Sequence, residues 1–237
     1  MLRPKLIYLA RRNPALTHQG FMARWRQHGA LGMSLPRWRN IWRYVHCDVA
    51  PAADGIPGLA DGHDGIGLIW HRSRATRRAH REDTGSQAVM EADELDTFAD
   101  LVRNVCALYE EQTLFDDGSD APVKLFRFHH RLLAMPEDRL FEDIAPLAAS
   151  LALRDADLAA SVRRYVHNYR MKPESRSWGL GYEWIEEYWF DSMADATRAL
   201  TVLMGNAPLR RLLESAASPP VNLLTNEVML YQLPEEA

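Results

Sequence analysis

Two identical tetrapeptides carry the most legible chemistry in this chain: Arg43-Tyr44-Val45-His46 and Arg164-Tyr165-Val166-His167. In an extended segment alternate side chains share a face, so each copy presents a tyrosine beside a histidine. An enclosed histidine next to a carboxylate can be tuned toward neutrality and act as base or acid. Arg127 and His129 alternate in the same way, and Glu111, Glu187 and Glu227 supply candidate carboxylates. That set suits general acid/base work, with Arg127 holding a carboxylate or enolate oxygen. Other chemistries lack their signatures, since the chain has no HExxH, P-loop, GxGxxG or GxSxG. His28, His46, His63, His71 and His80 enrich the first half in histidine without a close ligand pair. His129 and His130 are adjacent, so on a strand they point to opposite faces and do not chelate together. The expectation is a site with no metal and no resident cofactor.

Composition narrows the class. The 237 residues are 47% apolar and 25% charged, which is a globular balance and excludes a disordered or collagen-like chain. Lys and Arg number 28 against 32 Asp and Glu, a net charge of −4, so no overall basic field favours nucleic acid. Cys47 and Cys106 lack CxxC spacing and fit a reducing compartment better than a disulfide scaffold. No run reaches the ~18 apolar residues of a membrane span, and the apolar stretch Leu6 to Ala10 is stopped by arginines. A cytoplasmic protein that avoids membranes and takes a hydrophobic small molecule is expected.

The elements that must position these residues occur twice. Beside the repeated tetrapeptide, Lys5-Leu6 matches Lys124-Leu125, and Trp70-His71-Arg72-Ser73 matches Trp189-Phe190-Asp191-Ser192. Glu111 to Phe115 likewise aligns with Glu227 to Tyr231. Asp116 to Pro122 has linker composition, so the copies are read as 1–116 and 122–237. Leu6–Ala10 and Leu125–His129 read as first strands, and a helix capped by Thr17 puts Phe21, Trp25 and His28 on one face. Second strands are expected at 43–49 and 162–171, and third strands at 66–71 and 182–190. Helices follow at 74–90 and 193–204, with closing strands at about 105–115 and 223–232. The order β-α-β-β-α-β is the ferredoxin-like unit.

Lys5-Leu-Ile-Tyr-Leu-Ala-Arg-Arg-Asn-Pro, then Phe21-x-x-x-Trp25-x-x-His28, Arg43-Tyr44-Val45-His46 and Asp64-Gly65-Ile66-Gly67-Leu68-Ile69-Trp70 resemble the EthD family of the dimeric α/β-barrel superfamily. Copy one carries nearly the full pattern; the first helix of copy two, Pro136 to Leu151, lacks the Trp-x-x-His element. The resemblance implies an α+β fold in which two ferredoxin-like βαββαβ repeats form a pseudo-symmetric barrel within one chain. It also implies a cavity between the two sheets.

On that frame Ile7, Leu9, Phe126, Phe128, Val45 and Val166 are assigned to the helix side of the sheets. Tyr8, Tyr44, His46, Arg127, His129, Tyr165 and His167 then face the cavity, with Leu68, Trp70, Glu187, Trp189, Glu111 and Glu227. The family's strand order brings His46 toward Glu227 and His167 toward Glu111. A slip of one residue inverts every facing assignment. Structural roles compete throughout: His46 and His167 as seam residues, His28 as a satisfied core histidine, the tryptophans as core. Arg72 to Arg81 reads as a solvated basic face, or a site for an anionic partner. Gly55 to Gly65 reads as a loop over a pocket mouth.

The function expected is a cofactor-independent acid/base enzyme of the cyclase, dehydratase, isomerase or lyase type. Its substrate is an aromatic or polyketide-like carbonyl compound of catabolism or secondary metabolism. His129, His167 and His46 move protons, Glu187 or Glu227 tunes them, and Tyr8, Tyr44, Trp70, Arg127, Tyr165 and Trp189 bind substrate. Two alternatives stand beside it. One is a monooxygenase or haem-binding barrel protein with a cavity histidine as axial ligand; the other is a non-catalytic binding protein. A homodimer of the fused barrel is a further expectation.

Overall fold

In the computed structural model, residues 3–51, 56–100, 105–172 and 180–234 are described. The first half runs β1 (Lys5–Ala10), α1 (His18–Ser34), β2 (Ile41–Val49), β3 (Gly65–His71), α2 (Arg74–Glu82), α3 (Thr84–Thr97) and β4 (Val105–Asp116). The second half opens with β5 (Val123–His129). A helical run then passes through a π turn at Leu140–Ile144 into α4 (Ala145–Ala152). It continues with α5 (Ala156–Ser161), β6 (Arg164–Arg170), β7 (Trp184–Phe190), α6 (Met193–Gly205), α7 (Ala207–Glu214) and β8 (Val221–Gln232). No helix among the described residues is long and apolar enough to cross a membrane.

Local chemistry sets these boundaries. Thr17 caps α1 by accepting from the Gly20 amide at 3.1 Å, which satisfies one of the orphan donors of the first turn. Ser73 and Thr76 form a reciprocal capping box that starts α2. The helix expected over 74–90 is two, because the Asp83 carboxylate accepts from the Ser86 amide and hydroxyl at 2.9 Å and restarts the chain as α3.

All eight strands close into one antiparallel barrel in the order β1-β3-β2-β8-β5-β7-β6-β4. The seams between halves are β2–β8 and β4–β6, the second strand of each half beside the fourth of the other. Helices cover the outside of the barrel. The fold is therefore α+β, with two ferredoxin-like halves closing one barrel inside one chain.

The two faces of several strands are the reverse of the expected ones. Ile7, Leu9, Val45, Phe126 and Phe128 meet Cys47, Ile66, Leu68, Ile185 and Leu223 in one cluster drawn from both halves, so they fill the barrel. Val166 packs with Ala121 and Trp189, also on the inner face. Tyr8, Tyr44, His46, Arg127, His129, Tyr165 and His167 point outward, into the layer between sheet and helices. The physical reason is that an eight-stranded barrel is only wide enough for its own side chains to fill. That space selects the apolar alternation over most of its length, with the polar groups of the inner face gathered into one paired cluster. The helix layer supplies hydrogen-bond partners from α1, β7 and their neighbours, so it can hold tyrosine, histidine and arginine. Leu68, Trp70, Glu187 and Trp189 do face inward as expected.

The inner face carries one ionic cluster. Lys5 and Lys124, both fully buried, hold Glu187 between them, Lys124 at 3.2 Å, while Asn168 donates to it at 2.9 Å. Glu111 accepts from Lys5 at 2.8 Å and from Trp70 at 3.3 Å; Glu227 pairs with Lys124 and accepts from Trp189 at 3.2 Å. Arg43 reaches Glu227 at 3.1 Å, and Arg164 reaches Glu111 at 3.2 Å, each across a seam. The pairings His46–Glu227 and His167–Glu111 do not form, because those side chains leave opposite faces of the sheet.

Candidate functional site

The layer between sheet and helices differs in the two halves, and glycine decides the difference. Across from Tyr8 the neighbouring strand has Gly67, and across from Ala10 it has Gly65. A Cβ on Gly67 would lie 2.0 Å from the Tyr8 ring, and one on Gly65 would lie 2.3 Å from the Trp25 ring. The equivalent positions across from Arg127 and His129 carry Glu186 and Trp184. Bulk on β7 therefore fills the second layer, whereas missing side chains on β3 let aromatic rings lie flat in the first.

In the filled second layer Glu186 is the centre. It accepts from Arg127 at 2.9 Å, Tyr165 at 2.5 Å and Tyr188 at 2.6 Å, and pairs with His129 Nε2 at 2.8 Å. His167 meets the hydroxyls of Tyr165 at 2.7 Å and Tyr169 at 2.9 Å. Burial pushes His129 and His167 down, and Arg127 with the two imidazoles holds Glu186 well below the ordinary carboxylate range despite its burial. Arg127 is thus committed inside the protein, also donating to Asn222 at 3.3 Å, and is not a clamp awaiting a substrate. Tyr165, His129 and His167 share that network. Trp70, Trp189, Glu111, Glu187 and Glu227 belong to the inner ionic cluster.

The open first layer holds a cavity of about 400 Å³. Tyr8 and Tyr44 form its sheet wall with Ile69; His28, Gly29 and Gly32 come from α1; Trp38 and Arg37 follow that helix. The remaining walls are Arg77, His80 and Arg81 of α2, and Met90, Glu91 and Glu94 of α3. Gly29 leaves room for the Tyr44 ring, whose nearest atom would sit 3.3 Å from an added Cβ. Its volume is that of a small-molecule site, and its walls combine aromatic rings with a strongly charged end.

One hydrogen-bond chain runs behind the sheet wall. Arg26 binds the Asp48 carboxylate at 2.6 Å through Nη2 and reaches His46 Nδ1 at 2.5 Å through Nη1. His46 stacks on Trp25 with ring centres 3.6 Å apart, and burial holds it neutral, well below its ordinary value. A guanidinium only donates, so Nδ1 accepts and the single imidazole proton sits on Nε2. Nε2–H therefore donates to the Tyr44 oxygen at 2.5 Å, and Tyr44 O–H donates to the Tyr8 oxygen at 3.1 Å. Trp25 Nε1–H donates to the same Tyr8 oxygen at 3.2 Å. Both acceptor positions of Tyr8 are then filled, and its own proton is left for whatever occupies the cavity. Burial pushes the Tyr8 hydroxyl up to about 12, so it stays a donor at neutral pH.

Two carboxylates matter on the opposite side, Glu94 on the cavity wall and Asp93 behind His28. Asp93 accepts from Arg24 at 2.6 Å and pairs with His28 Nδ1 at 2.7 Å; burial lowers His28. Burial, and then its neighbour Glu91, raise Glu94 to about 7, where a carboxyl can take or give a proton at neutral pH.

The EthD domain pattern matches residues 13–101. The cavity lies wholly within the matched residues apart from Leu6 and Tyr8. Over its full length the chain is similar in structure to a candidate monooxygenase of Fusobacterium nucleatum subsp. nucleatum, with a TM-score of 0.57 at 7% identity over 98% of this chain and 99% of that one. It is also similar to an anthrone oxidase-like protein, with a TM-score of 0.56 at 12% identity, covering 100% and 97% of the two chains. A chlorite dismutase variant from Candidatus Nitrospira defluvii gives 0.53 at 8% identity, covering 97% and 92%. At these identities the likeness is one of fold. No curated protein sequence matches the chain.

Haem, which the barrel resemblance brings with it, finds no fit in the barrel or the second half. The barrel interior presents no imidazole among the described residues. His129 lies flat on Trp184 at 4.2 Å within the filled layer, and His167 spends both ring nitrogens on tyrosine hydroxyls. No group of three or more candidate metal ligands occurs among the described residues.

Several site residues escaped the sequence reading. Trp25, Arg26, Arg37 and Glu94 act through helix packing that strand alternation does not reveal. One signal was present: Phe21, Trp25 and His28 share a helical face with Gly29 and Gly32 beside it, a pattern of close approach to the sheet. His28 is buried and satisfied by Asp93, as a core histidine would be, and it also lines the cavity. The loop read over a pocket mouth lies elsewhere. Its described part, from Ile56, bridges at Leu59 to Asn222 on the second half; Gly55 is outside the described residues.

Proposed function

We propose that the EthD-domain cavity is the active site of an oxygen-dependent oxidase or monooxygenase acting on hydroxylated polycyclic aromatic carbonyl compounds. The observation that carries this reading is the polarised chain ending in Tyr8, with Glu94, ionising near neutrality, in the same cavity. A substrate methylene flanked by aryl rings and conjugated to a carbonyl loses a proton to Glu94. The electron pair moves to the carbonyl oxygen, and Tyr8 O–H donates to the oxyanion that forms. The resulting electron-rich anion passes electrons to O2 and forms a C–O bond at the former methylene. Cleavage of the O–O bond with loss of water leaves a new carbonyl. One atom of O2 enters the product, the other leaves as water with the two substrate hydrogens, and the substrate supplies all four electrons. The likeness in fold to an anthrone oxidase-like protein and a candidate monooxygenase supports this class. In this reading acid/base chemistry is the first step only; nothing in the comparisons favours a lyase or isomerase outcome.

The test is oxygen uptake and quinone absorbance with 1,8-dihydroxyanthrone. Wild-type protein is expected to exceed the spontaneous rate, and Tyr8→Phe to lose roughly 100-fold in kcat, the usual cost of an oxyanion donor. An unchanged rate in Tyr8→Phe, or a porphyrin band in the purified protein, overturns the reading.

A further inference from the structure

Arg37 stands out among the cations of the cavity wall. It follows α1 in the turn Pro36–Asn40, half-buried, with its guanidinium in no hydrogen bond or ion pair among the described residues. Other half-buried arginines of this layer are engaged: Arg24 with Asp93, and Arg26 with Asp48. A cation drawn from water without a partner is costly, and an anion delivered by a ligand recovers that cost. Burial is the main influence on Arg37, lowering its proton affinity; Glu94, Asp83 and Glu91 act on it only through space.

The charge around it points the same way. Arg37, Arg77 and Arg81 are the arginines of this end of the cavity; Glu91 and Glu94, the latter raised to about 7, line it as well, and Asp83 acts on Arg37 from outside the lining. His80, down near 4, is uncharged. Trp38, Met90 and Phe98 beside these groups are apolar, so the anion must sit on a hydrophobic body.

We infer that the substrate of this cavity is an aromatic compound bearing a carboxylate, which Arg37 receives through paired N–H donors while Tyr8 holds the reacting carbonyl end. The inference rests on reading this cavity as the site, and it narrows the substrate from a neutral polycycle to an aromatic acid. Arg37 is a specificity residue, since a bidentate guanidinium matches the planar geometry of a carboxylate.

The experiment compares 1-hydroxy-2-naphthoate with 1-naphthol, a pair differing in the carboxylate, by titration calorimetry on the full chain. Wild-type protein is expected to prefer the naphthoate by about tenfold, the value of one charge-assisted contact. Arg37→Met removes the preference, and Arg37→Lys keeps part of it with the charge intact. Thermal melts of both variants establish that each is folded. Equal binding of the two compounds by wild type overturns the inference, as does a preference that persists in Arg37→Met. Binding is read without oxygen or turnover, so an absent carboxylate preference beside active anthrone oxidation removes only this inference. The converse result removes only the oxidase reading. Failure of both compounds to bind removes the carboxylate site.

Discussion

In the proposed reaction Glu94 and Tyr8 divide acid/base work because their surroundings push them apart, the carboxyl to about 7 and the hydroxyl to about 12. Turnover should therefore rise with pH through about 7 as Glu94 ionises, and Glu94→Gln should flatten that limb of the profile. Folding stability runs the other way: a carboxyl raised above its ordinary value favours the folded state at low pH and loses that contribution as pH rises through about 7. Glu186 has the opposite sign. Its lowered value contributes stability above the ordinary carboxylate range, and that contribution is lost as the solution is acidified below it. Urea midpoints measured between neutral and acidic pH should fall, with a shallower fall in a variant lacking Glu186. Glu187 tests burial directly. Glu187→Ala removes the carboxylate that buried Lys5 and Lys124 share, leaving them Glu111 and Glu227 alone, at a cost of about 3–5 kcal/mol by chemical denaturation.

At the scale of elements, a strand's partner decides what its side chains can do. β1 and β5 both alternate polar-aromatic and apolar residues, yet only β1 faces glycines. Gly67→Ala is expected to displace Tyr8 and break its bond to Tyr44, because an added Cβ meets the ring at 2.0 Å. Overpacking of this kind costs about 1–3 kcal/mol, and activity should fall further than stability alone explains. A thermal melt paired with oxygen uptake separates the two effects. The layer of the first half is thus left open, and that of the second is filled around Glu186.

At the scale of the molecule, the barrel interior is the interface between the halves. Ile7, Leu9, Val45, Leu68 and Trp70 from the first half pack on Phe126, Phe128, Ile185 and Leu223 from the second. Residues 1–116 expressed alone would expose that face, so they should self-associate or precipitate. A monomeric half by size-exclusion chromatography would contradict this account of the core. The repeated Arg-Tyr-Val-His, the Thr17 cap, and the βαββαβ order were legible in the sequence because repeats, caps and periodicity are local. Which alternation faces the barrel was not, since strands are written as two faces without a label for the side that closes. Tertiary structure settled that by packing the apolar sets of both halves against each other inside the barrel. It also settled where the cavity lies: Gly65 and Gly67 against Trp184 and Glu186 matter only once β1 and β3, or β5 and β7, lie side by side. The residue types were set locally; their chemistry came from neighbours distant in the chain.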